Sequence, residues 1–305
     1  MTATPNTAAA WPKLPLPYGL GKNFVTAHAF ARIAVFSTQK YGPKAQRPIY
    51  SSKTKLGATA TSEISVFQTA GQGLDQGDAE VFYELLRRVF ENAHEMHREA
   101  RVCFNRGDFI KTLGRALGGK TRALLDESLD RLFRAEFEFS VPGVFVGKSR
   151  LILKMLRFDR ETKGDCDYDV LLDVELAKLF GGGQWTLLRR SELDCLAGNP
   201  LAKGLYAFYS THLKPYPMNL ETVRDLMGRP KMQLGKFVDV LEPALALLKE
   251  ATGWTKCELE RKGKNAGRVV VEKSRCDGTG ASKEKPKALA PVAETGLSDD
   301  PYDDI

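Results

Sequence analysis

The sequence predicts an α+β chain of two tandem winged helix-turn-helix units followed by an acidic C-terminal tail of disordered composition. Three observations carry this expectation. Apolar residues recur at helical spacing in three successive segments, the last two in tandem, and two strand-like runs follow. The same order of elements then comes again. After about residue 274 the chain turns rich in Pro, Gly, Ser and charge. With 305 residues and about 150 per domain as a prior, two domains are expected. The divisions fall at residues 1–24, 25–180, 184–274 and 275–305.

Residues 1–24 are Ala-, Thr- and Pro-rich (Pro12, Pro15, Pro17) and read as an extended arm. Ser62–Thr69 has the β-branched and aromatic content of a strand, closed by Gly71 and Gly73. Asp78 caps a helix whose Val81, Phe82, Leu85, Leu86, Val89 and Phe90 share one face. Asp108 opens a shorter helix through Leu117, with Phe109, Leu113 and Leu117 inward. Gly118 and Gly119 break it, and a third helix spans Lys120–Arg134 on Leu125, Leu129, Leu132 and Phe133. The hairpin of this unit is assigned to Glu136–Val141 and Leu151–Phe158. Asp169–Val174 is strand-like, and Gly181–Gly183 reads as a hinge between the units.

In the second unit Asn199 and Pro200 form a helix start, a cap followed by a first-turn proline. That helix runs to about His212, and Lys214–Pro217 makes a turn. Asn219 caps Leu220–Met227, Gly228-Arg-Pro230 is the corner, and Pro230 begins the next helix on Phe237, Leu241, Leu245 and Leu248. Pro243 lacks an N–H, so that helix is expected to end or bend near Leu241. A hairpin of Thr255–Glu260 and Val269–Glu272 closes the unit.

Charge points to the partner. The 45 basic and 38 acidic residues give +7. Residues 276–305 carry three basic and seven acidic side chains, which leaves +11 on residues 1–275. A basic body of this kind suits a polyanion, either nucleic acid or an anionic membrane. No apolar run approaches the roughly 18 residues of a membrane span, and Met1–Ala10 lacks the pattern of a signal peptide. No membrane partner is expected. Five widely spaced cysteines without a Cys-x-x-Cys suit a reducing cytoplasm and indicate neither disulfides nor a zinc knuckle. His94 and His97 form the one close histidine pair, more simply a solvated helix face than a metal site.

The candidate DNA-contacting residues fall in three groups. Arg229, Lys231, Gln233 and Lys236 stand at the start of the last helix, where cations reach phosphate or guanine and Gln233 can pair with adenine. Arg261, Lys262, Lys264 and Arg268 crowd the tip of the closing hairpin beside flexible glycines. Lys111, Arg115, Lys120 and Arg122 form a weaker set in the first unit, diluted by Glu127 and Asp130. Gly114-Arg-Ala-Leu-Gly-Gly-Lys120-Thr121 also fits the phosphate-cradling pattern G-x-x-x-x-G-K-[ST], and Val170–Asp173 fits its magnesium strand. That chemistry needs a loop leaving a buried strand, and the helical period of 108–117 argues against it. No catalytic constellation and no cofactor are expected; the chain is read as a binding protein, not an enzyme.

Tyr209-Ser-Thr-His-Leu-Lys-Pro-Tyr-Pro-Met-Asn-Leu-Glu-Thr-Val-Arg224, followed by Leu226-Met-Gly228, resembles the second winged helix of the TrfA-type plasmid replication initiators. Leu156–Asp159, Val170–Asp173 and Leu179–Gly181 resemble the segment between that family's domains, and Leu74–Leu86 its first domain. The similarity spans roughly residues 10 to 273. The resemblance implies a protein that binds tandem repeats (iterons) in double-stranded plasmid origin DNA, opens an adjacent AT-rich region and recruits the host initiator and replicative helicase. It also implies a homodimer in equilibrium with monomer. Carried over by position, it assigns major-groove reading to Arg229, Lys231, Gln233 and Lys236 and a dimer strand to Ser62–Thr69. The family's sliding-clamp peptide has no counterpart near the N-terminus. The nearest string is Gln233-Leu-Gly-Lys-Phe237. A winged-helix transcriptional regulator shares every one of these DNA-binding features.

Overall fold

In the computed structural model, which describes residues 20–42, 46–57, 64–91, 100–143, 145–158 and 166–273, the chain opens with β1 (Phe24–Ala27), one turn of α1 (His28–Ala31) and β2 (Phe36–Ser37). Leu20 and Phe24 are buried, so the expected extended arm does not hold for residues 20–24. The rest of that arm, and the acidic tail from 274, lie outside the described residues. Strands β3 (Ile49–Tyr50) and β4 (Thr54–Lys55) precede β5 (Ser65–Gln72), and β6 (Leu74–Asp75) leads into α2 (Gln76–Glu91). Then come β7 (Ala100–Phe104), α3 (Arg106–Thr112), α4 (Gly119–Arg134), β8 (Glu136–Val141), β9 (Phe145–Arg150), β10 (Ile152–Arg157) and β11 (Tyr168–Leu172). A 3-10 helix, Val174–Gly183, stands where a glycine hinge was expected. The second half holds β12 (Trp185–Leu188), α5 (Arg190–Cys195), α6 (Pro200–Ser210), β13 (Met218–Asn219), α7 (Leu220–Leu226), α8 (Leu234–Thr252), β14 (Lys256–Glu260) and β15 (Arg268–Glu272).

The fold is mixed α+β, and one topology occurs twice. α2, β7, α3, α4, β10 and β11 correspond in order to α6, β13, α7, α8, β14 and β15. In each set the strand after the first helix pairs antiparallel with the last strand, giving the sheets β10-β11-β7 and β14-β15-β13. The first hairpin is therefore β10–β11, not the pairing of 136–141 with 151–158. β8 and β9 form their own hairpin and join β5, β3 and β4 in a second sheet. β7 and β13 escaped the sequence reading because each gains strand character only from a partner far along the chain. β5 is flanked on both sides, by β3 and β4 and by β8, so its backbone is not an open edge for pairing with another copy. Ser62 and Glu63 lie outside the described residues.

α2 organises the first repeat. Its apolar face of Val81, Phe82, Leu85, Leu86, Val89 and Phe90 is buried, each large side chain contributing about 1.5–3 kcal/mol. The helix starts at Gln76, two residues before Asp78, because Asp75 is the capping residue. Asp75 Oδ1 accepts from the amides of Gly77 and Asp78 at 2.8 and 3.1 Å, and Asp78 Oδ2 accepts from the amide of Asp75 at 3.0 Å. Asp78 is fully buried. Arg131 Nη2 and Ser128 Oγ of α4 donate to Oδ1 at 2.9 and 2.7 Å, and Arg47 donates to Oδ2 at 3.2 Å. α3 ends at Thr112, and Gly114 turns the chain at φ 69°, so Leu117 is half-exposed rather than on the core face.

The N-terminal segment packs on the second half. β1 pairs with β12 along its length, and Arg32 donates to the hydroxyl and carbonyl of Thr211 at 2.9 and 2.8 Å. His28 sits in this seam against Gln184. Burial, then the nearby Arg32 guanidinium, push its pKa down from 6.5 to about 4, and burial lowers His212 beside it.

Removing the Asp78 carboxylate leaves the largely buried Arg131 with only the exposed Glu127, at 3.6 Å, as counter-charge. Asp78→Ala is therefore expected to cost about 3–5 kcal/mol in a urea titration; a loss below 1 would show that the network does not hold α2 to α4. The depressed His28 pKa makes stability fall as pH drops from 6.5 toward 4, because the unfolded chain takes up that proton first. Discounted for partial exposure, the effect is on the order of 1 kcal/mol. The melting temperature should be lower at pH 5 than at pH 7.5, and His28→Gln should shrink that difference.

Candidate nucleic-acid interface

Among the described residues, exposed cations without a charge partner gather on the second repeat. Met227–Gln233 joins α7 to α8. Gly228 adopts φ 70°, which side chains with a Cβ avoid, and a Cβ there would lie 2.7 Å from Ser37 Oγ and 3.0 Å from Ser37 Cα. The amide of Met232 donates to the carbonyl of Arg229 at 3.0 Å, and Arg224 Nη1 donates to the carbonyl of Met232 at 3.2 Å. This bonded turn delays the helix: α8 starts at Leu234, not at Pro230, with Gln233 as its cap residue. Nor does it end near Leu241. Pro243 lies on the exposed face, where the carbonyl it leaves free meets water, and the helix continues to Thr252. Phe237, Leu241, Leu245 and Leu248 are buried as their spacing predicts.

Lys231, Gln233 and Lys236 are exposed at this start, and their side chains pair with no other described residue. A Cβ on Gly235 would meet nothing within 4 Å, so the protein's own packing does not demand glycine there. The free amides of the first turn of α8 add positive potential beside these cations. At the hairpin tip Gly263 and Gly267 take φ 87° and 77° and turn the chain. Lys262, Lys264 and Arg268 are exposed around them without a charge partner among the described residues. Arg261 differs: it pairs with Glu242 and ties the start of the hairpin loop to α8.

Two further residues chosen from the sequence are turned inward. Arg229 is half-buried and donates to Thr38 Oγ1 at 2.8 Å and the Thr38 carbonyl at 2.6 Å. Arg115 donates to Glu80 at 2.6 Å, and Glu80 also holds Lys203 of α6. Neither guanidinium is free for a phosphate or a base edge. In the first repeat Lys120 and Arg122 are exposed on the opening turn of α4, and Lys111 is exposed near Asp108 at 4.0 Å. Two further cations stand on β10: Lys154 is exposed, and half-exposed Arg157 pairs with Asp126 on the α4 side of the sheet; both were missed because that strand was given the wrong partner. Thr38 and Arg224, which position the α7–α8 corner, carried no local signal.

The phosphate-loop pattern fails on geometry. The amides of Gly114 and Arg115 donate to the carbonyls of Lys111 and Ile110, capping α3, so the loop leaves a helix and those donors are engaged. Asp173 is engaged too, accepting from Ser149 and from the amide of Glu175. The clamp-like string 233–237 holds its Phe237 in the core. Among the described residues no group of three His, Cys, Asp or Glu is placed to hold a metal, and no helix is long and apolar enough to cross a membrane. His94 and His97 lie outside the described residues.

Residues 20–255 match the family model described as TrfA protein. The chain is 25% identical over 207 residues to the plasmid replication initiator protein TrfA of Escherichia coli, covering 68% of this chain and 52% of that protein. It thus spans about half the length of that curated relative. Among solved structures, domains 2 and 3 of RctB superpose with a TM-score of 0.50 at 15% identity, over 80% of this chain and 96% of that one. That likeness concerns the fold.

The inward and outward cations separate by stability. Arg115→Ala and Arg229→Ala should each lower the unfolding free energy by about 1–3 kcal/mol, since the first leaves part-buried Glu80 with Lys203 alone and the second leaves the Thr38 hydroxyl and carbonyl without their donor. Lys231→Ala and Lys262→Ala should stay within about 0.5 kcal/mol of the parent. Urea titrations of the four variants test the assignment, which fails if the two classes overlap.

Proposed function

The chain belongs to the TrfA protein family, and from this we propose that it is a sequence-specific DNA-binding initiator of plasmid replication. In this reading it binds iterons in its own origin, promotes local opening of the duplex and brings in the host initiator and helicase. The observation that carries it is the bare cationic surface on one side of a repeated helix-strand-helix-helix-hairpin unit. We read each repeat as a winged helix. The start of α8 enters the major groove, and the β14–β15 hairpin is the wing on the flanking backbone. The first repeat adds phosphate contacts through Lys111, Lys120 and Arg122 and carries self-association. The protein works in the cytoplasm, as a monomer–dimer equilibrium, without catalytic chemistry or a cofactor.

Electrostatics divides the labour. A cation on phosphate releases counterions from any duplex, so its loss lowers the salt slope by about one ion and weakens cognate and scrambled DNA alike. A side chain on a base edge costs about 1–3 kcal/mol on the cognate site and little elsewhere.

Footprinting of the purified protein on the DNA of its own replicon is the direct test, with protection of directly repeated segments expected. Supplying the gene in trans should maintain a small replicon that bears those repeats. Protection and promoter repression without maintenance would make the protein a transcriptional regulator. In binding isotherms at two salt concentrations, Lys262→Ala and Lys264→Ala should weaken repeat and scrambled duplexes equally. Lys231→Ala, Gln233→Ala or Lys236→Ala should erode the preference for the repeat. The reverse pattern would exchange the roles of helix and wing.

A further inference from the structure

Residues 36–38 of the N-terminal segment lie against the corner between α7 and α8. The amide and hydroxyl of Thr38 both donate to the carbonyl of Met227, at 3.0 and 2.7 Å, and Ser37 Oγ donates to the carbonyl of Gly228 at 3.0 Å. Arg229 closes the set from the other side through its two bonds to Thr38. The fit is tight. Thr38 is 1% exposed, and a Cβ on Gly204 of α6 would lie 2.4 Å from its methyl group. Two glycines, Gly204 and Gly228, thus make room for one dipeptide. The dipeptide is also held by the first repeat. β2 pairs in parallel with β6, Ser37 opposite the capping Asp75, and Gln76 Nε2 donates to the carbonyl of Phe36 at 2.8 Å.

We infer that Phe36–Thr38 is a positioning strap for the DNA-reading corner. It sets the direction in which Lys231 and Gln233 leave the turn and in which the first turn of α8 presents Lys236, and it couples that direction to the first repeat. The inference rests on the reading of the α8 start as the part that meets base edges. Residues 229–232 precede the helix, so no helical ladder fixes their backbone, and the bonds of Met232 and Arg224 together with the contacts to the strap supply that constraint instead. Bidentate pairing to a base edge depends on direction, whereas a flexible cation finds a phosphate from many. Loosening the strap should therefore cost discrimination and spare general affinity.

Thr38→Val tests this. It keeps the volume and the methyl group facing Gly204 and removes only the hydroxyl that serves Met227 and Arg229. Thr38→Ser retains the hydroxyl and is the rescue. The probes are a duplex enriched by the full-length parent from a random-sequence pool, and the same duplex scrambled. Thr38→Val should lose about tenfold of the preference for the enriched duplex. Its affinity for the scrambled one should stay within about twofold and its salt slope should not change. Thr38→Ser should keep the parent's preference. Without any DNA, amide exchange over Gly228–Gln233 should quicken about tenfold in Thr38→Val, with the β14–β15 ladder unchanged. A parental preference in Thr38→Val, or an equal loss on both duplexes, overturns the inference. If that variant does not fold, Ser37→Ala, which deletes one bond to Gly228, is judged by the same two readouts. A parent protein that enriches no duplex overturns the DNA-reading proposal itself. The exchange experiment then reports whether the strap holds a corner that reads nothing.

Discussion

A carboxylate with no access to water governs much of this molecule. Asp78 cannot remain charged in the interior without partners, and the partners it takes come from separate stretches: Arg131 and Ser128 from α4, Arg47 from the segment ahead of β3. Their convergence sets α2 against α4. Because Asp78 also completes the cap with Asp75, the same charge fixes where α2 begins. Asp75 stands opposite Ser37 in the β2–β6 pairing, and Ser37 touches Gly228. A continuous line of hydrogen bonds and close contacts thus leads from the core of the first repeat to the turn that starts the last long helix.

The cations show how little a side chain's identity says about its task. Arg115 and Lys203 neutralise Glu80, Arg131 neutralises Asp78, and Arg229 binds Thr38. Lys231, Lys236, Lys262 and Lys264 are left to solvent. The inward cations are mostly arginines, which suits a fork of donors that can satisfy several acceptors at once. The outward ones are mostly lysines, whose strongly hydrated point charges cost more to bury and serve well as mobile contacts to phosphate. The basic excess of the chain is therefore not the charge of its interface. Part of it is structural and offset by buried carboxylates.

Legibility in the sequence followed the range of the forces involved. α2, α4, α6 and α8 could be read because an apolar stripe at 3.6-residue spacing is a local signature of a helix that packs on a core. The proline at the head of α6 and the glycine corner before α8 were legible for the same reason, being local backbone constraints. β7, β9, β12 and β13 were not. A strand of two to six residues takes its hydrogen bonds from a partner strand, and Gly147 and Lys148 in β9 give little intrinsic preference for it. The hairpin of the first repeat was misassigned because β8, β10 and β11 all have strand composition, and only pairing distinguishes them. The start of α8 was placed too early because Pro230 suits a first turn, whereas the bonds of Met232 and Arg224 hold the chain in a turn and the helix begins four residues later, at Leu234.

By itself the sequence determined the α+β class, the repeated order of elements, the apolar faces of the long helices and the two places where basic residues gather. Each depends on spacing or composition within about twenty residues, where chain connectivity already enforces proximity. Tertiary structure alone decided which strands pair to close the first repeat and which cations remain free. It also decided that a dipeptide near the N-terminus holds a corner some 190 residues away. These outcomes depend on the burial of charge and on shape matching between distant surfaces. A buried carboxylate or an empty glycine notch specifies its partner only once the folded chain has carried that partner to it.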